Sequence, residues 1–457
     1  MEDELLNFNY TDSGLPVIIK VIGVGGGGGN AVKNMYHGKV RDVSFLLCNT
    51  DVQALDRSEV PDRLVLGREV TNGLGAGSRP EVARRAAEAS EADIRKILDD
   101  GHTRMVFVTA GMGGGTGTGA APVIGRIARE LNILTVGIVT IPFVFEGKRK
   151  ILQALEGVEE MRKNVDALLV VNNERLRIIY KDLKLDNAFA KADETLTNAA
   201  NGIAEMIMKE GTINLDFADV HTTLKDGGIA IISTGYGEGP DRMEQAINEA
   251  LTSPLLNNND IFKARRVLFN IYQGTEDPLG TDELSAINEL TAKIETGFDT
   301  IWGYTTDPEL GKKVKITILA SGFDLDTTRE SIRIGDNLGN VINDPISSRE
   351  IETQNERDND LINRYYRPDE LEKVKVVDFK PIILNLDELD NDELIMALEE
   401  KPAYSRTGVL LSRIDNIRMR IAESAGRLKK DVVRSEESER PAFESERPSS
   451  PTTISFN

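Results

Sequence analysis

Gly113-Gly114-Gly115-Thr116-Gly117-Thr118-Gly119 follows an apolar run, Met105 to Ala110, that reads as a buried strand. It precedes Ala120 to Leu131, in which Ile124, Ile127, Ala128 and Leu131 fall at helical spacing. Glycines between a strand and a helix let the backbone approach a ligand closely, with N–H groups pointing at it. The helix N-terminus behind them adds partial positive charge, so the ligand expected here is a phosphate. The stretch lacks a Gly-Lys-Ser/Thr ending and is therefore not a P-loop. Two threonine hydroxyls stand where a P-loop has its lysine. A flexible linker would not sit between a buried strand and a helix start.

A second glycine cluster has the same setting. The strand candidate Val17 to Val24 runs into Gly25-Gly26-Gly27-Gly28-Gly29-Asn30 and then a helical Ala31 to Met35. Gly23-x-Gly25-x-x-Gly28 also fits the dinucleotide fingerprint, and strand Val43 to Cys48 ends in Asn49-Thr50-Asp51, where a ribose-binding acid would be expected. That leaves a nicotinamide-dependent oxidoreductase as the rival reading. Two phosphate-type loops at strand ends of one sheet point instead to one triphosphate held between them.

The 457 residues, 40% hydrophobic, suffice for two cores plus non-core sequence. A formal charge of −20 argues against electrostatic binding to nucleic acid. The single cysteine, Cys48, lies in a strand candidate and excludes a disulfide framework. Met1-Glu2-Asp3-Glu4 is acidic where a secretory leader would be basic, and no apolar run reaches the ~18 residues of a membrane span. The expectation is a soluble protein of the cytoplasm. His37, His102 and His221 have no metal-ligand spacing, so no protein metal site is expected. His221 stands two residues after Asp219, at a subunit interface or simply at the surface.

Strands alternate with helices from Val17 to about Asn173, the pattern of a parallel sheet covered on both faces. Further strands are Leu134 to Ile141 and Ala167 to Val171, with helices over Pro80 to Leu98 and Lys148 to Lys163. Asn187 to Lys209 reads as one long helix that ends at Gly211. A different rhythm follows, with strands at Gly228 to Thr234, Arg266 to Tyr272, Thr300 to Tyr304 and Lys313 to Ser321. Helices near Arg242 to Leu251 and Thr281 to Ile294 complete an α+β region. Ser348 to Glu372 is charged and aperiodic and is expected to be disordered. Arg413 to Val433 reads as an amphipathic helix, and Ser435 to Asn457 as a tail.

From about Val17 to Phe323 the chain resembles the FtsZ family of bacterial cell-division tubulin homologues. Five separated motifs carry the resemblance: Gly25 to Asn30, Asn49-Thr50-Asp51, Gly111 to Gly119, Phe145 to Lys148, and Asn214-Leu215-Asp216-Phe217-Ala218-Asp219. The resemblance implies an α/β protein with an N-terminal Rossmann-like GTPase domain on a parallel sheet. A long central helix, a smaller α+β C-terminal domain and a disordered tail follow. The boundaries become 1–16 for a flexible extension, 17–186 for the GTP-binding domain and 187–210 for the central helix. The C-terminal domain with its catalytic loop takes 211–323, a mostly disordered linker 324–398, and a partner-binding peptide with a variable tail 399–457.

By the same resemblance, Gly26, Gly27, Gly28, Gly29 and Asn30, with Gly115, Thr116 and Gly117, contact the phosphates of GTP. Glu146 contacts the ribose, and Asn173 with Asp193 reads the guanine, whose N1–H and 2-amino group suit a carboxylate. Phe189, four residues before Asp193, either stacks on the base or packs in the core. Lys150 stands where the family often has an arginine; it keeps the charge without the planar fork. Magnesium is expected to arrive with the nucleotide.

Asp216 and Asp219, three apart, put two carboxylates on one face of a helical turn, a spacing that serves helix capping equally well. In the family this loop, with Asn214, enters the nucleotide site of the next subunit and positions the attacking water. The implied activity is GTP hydrolysis completed by head-to-tail assembly at the midcell division site; a GTP-binding filament without hydrolysis is the alternative. Lys401-Pro402-Ala403-Tyr404-Ser405-Arg406 resembles the family's terminal peptide for membrane tethers and other division proteins, with Pro451 to Asn457 as the second possibility.

Overall fold

The computed structural model describes residues 16–38, 40, 42–180, 185–252, 261, 264–280, 283, 286–287, 299–323, 357–366, 388, 391–400, 410 and 412–421. The chain divides into two compact units, Met1–Val374 and Lys375–Asn457.

The first unit is built on ten strands: β1 Ile19–Val24, β2 Val43–Asn49, β3 Arg63–Val65, β4 Met105–Gly111, β5 Leu134–Ile141, β6 Ala167–Asn172, β7 Gly228–Gly237, β8 Arg266–Gln273, β9 Asp299–Thr306 and β10 Val314–Ser321. Its helices are α1 Gly25–His37, α2 Val52–Asp56, α3 Arg68–Thr71, α4 Pro80–Ala89, α5 Glu91–Leu98, α6 Thr116–Glu130, α7 Lys148–Asn164, α8 Asn173–Ile179, α9 Leu185–Met208, α10 Phe217–Leu224 and α11 Arg242–Leu251. The strands lie in the order β3-β2-β1-β4-β5-β6-β7-β10-β8-β9. Every pairing from β3 through β7 is parallel. The order reverses between β1 and β4, the switch point at which a doubly wound sheet opens a crevice beyond its strand ends.

Parallel strands covered on both faces must be apolar throughout, and Met105, Val106, Phe107 and Val108 are all fully buried. Their alternation divides the core. Val106 and Val108 pack with Ile124, Ile127 and Leu155 on the side of α6 and α7. Met105 and Phe107 face Ala31, Val32 and Ile203, from α1 and α9. Cys48 is buried among the first set, and burial pushes its thiol up to about 12.

β6 meets β7 through two residue pairs, Ala167↔Gly228 and Leu168↔Ile229. Beside this junction the buried Asp166 carboxylate accepts the Thr135 N–H at 2.9 Å and pairs with Arg129 and Lys225 at 3.1 and 2.9 Å. Beyond it, β10 runs antiparallel to β7 and β8, and β9 closes the edge parallel to β8. α11 covers this part with Met243, Ala246 and Ala250 against Phe269, Ile316 and Ile318.

Three expectations need correction. The helix expected over Pro80–Leu98 breaks at Ser90, whose hydroxyl accepts the Gly67 N–H at 2.8 Å. The long helix starts at Leu185 and not at Asn187, which puts Asp193 in its third turn. The stretch Ser348–Glu372, expected to be disordered, contains a helix over 357–365 that buries Ile362, Tyr365 and Tyr366 in the α6–α7 core. The aperiodic composition concealed a narrow stripe, Leu361, Ile362, Tyr365 and Tyr366, at helical spacing. Most of Thr281–Ile294 lies outside the described residues, as does 1–15.

In the second unit, Asn391 caps helix Asp392–Glu399 by accepting the Leu394 N–H at 3.0 Å. Residues 412–421 are also helical, and Leu394, Ala397, Leu410, Ile414 and Ile417 form a small apolar core. Arg418 pairs with Glu388 at 2.7 Å and Arg420 with Glu393 at 2.8 Å. Lys401–Arg406, the rest of the Arg413–Val433 helix and the 435–457 tail lie outside the described residues. Among the described residues no helix is long and apolar enough to cross a membrane.

Candidate functional site

The ends of β1 and β4, on either side of the switch point, each lead into a helix, β1 directly into α1 and β4 through the loop 112–115 into α6. α1 begins at Gly25, where φ is +72°, a conformation that a side chain would strain. Neither Val24 nor Gly115, the residues preceding α1 and α6, caps its helix with a side chain. Both helix starts therefore present N–H groups without side-chain caps, the arrangement that suits an anion.

Between them lies a cavity of about 380 Å³, lined by Gly26, Gly27, Asn30, Gly114, Gly115, Thr116, Gly117, Thr140, Pro142, Glu146, Lys150, Asn173, Phe189, Ala192 and Asp193. It gathers most of the residues expected to contact nucleotide. Gly29 is not part of the lining, and Gly28 has a different place: a Cβ there would meet the Thr109 carbonyl oxygen at 2.2 Å. That glycine lets α1 pack on β4.

The loop after β4 is held from both sides. Thr118 Oγ1 accepts the Gly113 N–H at 2.9 Å. Gln153 Nε2, on α7, donates to the carbonyls of Gly113 and Gly114 at 3.1 and 3.0 Å. In a trans peptide the following N–H points the opposite way, so those of Gly114 and Gly115 are directed away from α7. Gln153 carries no sequence signal of this task, being one polar residue in an amphipathic helix. Thr50 is a second residue whose part was missed: its hydroxyl and that of Thr116 lie 2.8 Å apart and tie the end of β2 to the start of α6.

At the other end of the cavity, Glu146 and Lys150 pair one turn apart, and Glu146 Oε1 accepts the Phe143 N–H at 2.9 Å. Phe189, 42% exposed, sets its edge against Phe143 with centroids 5.1 Å apart, so it packs and faces the cavity at once. Asn173 is buried, and its Oδ1 has no hydrogen-bond partner among the described residues. An acceptor left unpaired costs about 1–3 kcal/mol, so this position favours a ligand donor. Burial pushes the Asp193 carboxyl up to about 6. Asp51 instead caps α2, accepting the Ala54 N–H at 3.2 Å, and takes no place in the cavity lining. Asp51 therefore does not stand in this cavity as the ribose-binding acid that accompanies a dinucleotide fingerprint.

Asn214, Asp216 and Asp219 lie elsewhere. Asn214 Oδ1 accepts the Gly211 N–H at 3.1 Å, and the two aspartates form a capping box at the start of α10. His221 tilts against Phe217 in the same helix. α9 spans 24 residues, with Asp193 near its start and the aspartate loop beyond its end. From Asp193 to Met208 the helix rises about 22 Å, and the aspartate loop follows its C-terminal end. Among the described residues no cluster of His, Cys, Asp and Glu could hold a metal ion.

The Tubulin/FtsZ family, GTPase domain, matches residues 18–181; the FtsZ family, C-terminal domain, matches 228–324; and FtsZ, C-terminal, matches 382–420. The cell division protein FtsZ of Wigglesworthia glossinidia brevipalpis is 42% identical over 311 residues, 68% of this chain and 80% of that protein. The structure of an empty FtsZ dimer from M. jannaschii has a TM-score of 0.61 at 36% identity, covering 67% of this chain and 88% of its own. CetZ2 from Haloferax volcanii, a protofilament with GTPγS bound, has a TM-score of 0.57 at 19% identity, covering 76% and 98%, a likeness of fold alone.

Proposed function

Because the chain belongs to the FtsZ family of tubulin-like GTPases, we propose that it assembles head to tail and hydrolyses GTP between successive subunits of a division filament. The two uncapped helix starts receive the phosphates, through Gly26, Gly27 and Asn30 on one side and Gly115, Thr116 and Gly117 on the other. Glu146 and Lys150 serve the ribose. Asn173 and Asp193 accept the hydrogen bonds that guanine donates, and Phe189 stacks on the base.

One observation carries the shared site: the cavity and the Asp216/Asp219 loop lie at opposite ends of α9. A chain cannot bring its own aspartates to its own nucleotide, whereas a neighbour stacked end to end can. Each capping interaction between these residues uses one carboxylate oxygen, which leaves the second to orient and polarise the attacking water. Phosphoryl transfer asks mainly for positioning and charge stabilisation, which two placed carboxylates supply. A magnesium ion would be held by phosphate oxygens and water, since the chain's described residues offer no cage.

In this reading residues 17–186 bind nucleotide, 187–210 span the subunit and 211–323 carry the catalytic loop. The segment 399–411 is the docking peptide for a membrane tether and other division proteins, and the protein works in the cytoplasm at midcell. The test is turnover per chain against protein concentration. It should rise from near zero as chains meet; a flat value would overturn catalysis between subunits, and filaments without phosphate release would leave a purely structural protein.

A further inference from the structure

The helix over 357–365 and the Tyr366 that follows it pack on residues that enclose one end of the cavity. Tyr366 is fully buried, and its hydroxyl donates to the Pro142 carbonyl oxygen at 2.6 Å. Pro142 itself lines the cavity. One residue earlier, the Tyr365 carbonyl accepts the Asn172 Nδ2 hydrogen at 2.8 Å, while Asn172 Oδ1 accepts the Glu174 N–H at 2.9 Å. Asn172 thus caps α8 with one side-chain atom and holds the strap with the other, and the next residue is Asn173. Glu174, also buried, accepts the Val144 N–H at 3.1 Å, joining the two loop starts directly.

We propose that Tyr365 and Tyr366 are positioning residues for guanine recognition, fixing the ends of β5 and β6 so that Asn173 meets the base and the Pro142–Glu146 loop, through Phe143, holds Phe189 beside it. This rests on the assignment of the cavity to GTP. Apolar contact alone would fill the core beneath α7. Two buried hydrogen bonds to the strand ends do more, because each fixes a direction as well as a depth. The strap belongs to a part of the chain that reads as solvated linker, so nucleotide selectivity is expected to depend on residues well beyond the last strand.

The test uses the full chain below its assembly concentration, with Tyr366→Phe and the double variant Tyr365→Ala/Tyr366→Ala. Binding of GTP and of inosine triphosphate, which lacks the 2-amino group, is measured beside thermal melting. Tyr366→Phe keeps the ring and should cut the GTP-over-inosine preference about threefold, the double variant about tenfold. A strap that only fills space would lower the melting temperature and leave that preference unchanged, and this result in the folded Tyr366→Phe protein would overturn the proposal even if the double variant failed to fold. Wild-type protein without preference for GTP would overturn the cavity assignment, and the strap's role with it.

Discussion

Asp216 and Asp219 cap each other: Asp219 Oδ2 accepts the Asp216 N–H at 2.9 Å, and Asp216 Oδ1 accepts the Asp219 N–H at 3.1 Å. The reciprocal bonds fix both carboxylates at the first turn of α10, so the capping role and the proposed catalytic role fall on the same carboxylates, through different oxygens. A substitution that keeps one and removes the other separates them.

Asp219→Asn is that substitution. Its amide oxygen can still accept the Asp216 N–H, so the melting temperature should barely move, whereas Asp219→Ala should cost about 1 kcal/mol. GTP affinity should stay unchanged, since in the proposed mechanism the acid serves the neighbour's nucleotide. Turnover should fall about a hundredfold or more in both variants. Full turnover by Asp219→Asn, measured as phosphate release, would reduce the pair to a helix cap.

Mixing should restore activity. Asp219→Asn has an intact cavity, and a chain with Thr116 and Gly117 both replaced by bulky residues has an intact aspartate loop. In co-assembled mixtures some contacts pair the two sound halves, so phosphate release should exceed that of either protein alone. Mixtures that co-sediment yet stay inactive would show that both halves are needed in one chain.

The Asp193 carboxyl, pushed by burial up to about 6, sets a pH dependence. Its value in the fold lies above the ordinary carboxylate value of 3.8, so its contribution to stability is whole below about pH 4 and lost as pH rises through 6. In the proposed site the charged form accepts the guanine N–H groups. GTP affinity should therefore fall up to about tenfold per pH unit below 6 and level off above it. Asp193→Asn should flatten both the affinity profile and the matching part of the melting profile, as titrated binding and thermal scans would reveal.

Gly26 and Gly28, two residues apart in one motif, should respond differently to alanine. At Gly28 the new methyl would meet the Thr109 carbonyl oxygen at 2.2 Å and should destabilise the fold by about 1–3 kcal/mol. At Gly26 nothing lies within 4 Å, so the fold should be unaffected and only nucleotide affinity should drop. Equal melting temperatures for the two variants would contradict this division.

Strands β1, β4, β5 and β6 are legible in the chain because a parallel strand covered on both faces needs a continuous apolar run. The glycine loops are legible because glycine is the residue that tolerates their backbone and the close approach of a ligand. β3 and α2 were not foreseen; at three and five residues they are too short for any periodicity. The strap at 357–366 escaped for another reason. Its apolar stripe is four residues within a charged segment, and it becomes meaningful only beside the surface that covers it.

Local patterns in the sequence thus establish the α/β class, the two helix starts that suit phosphate and the residue types around them, since those follow from period, turn chemistry and hydrogen-bonding capacity. Three further facts depend on distance between residues far apart in the chain. Gly28 serves the packing of α1 on β4, Tyr366 reaches Pro142 across 224 residues, and the aspartate loop follows the end of α9 opposite the part that lines the cavity. A sequence records which groups are present; the closure of the chain into one sheet sets which of them can touch.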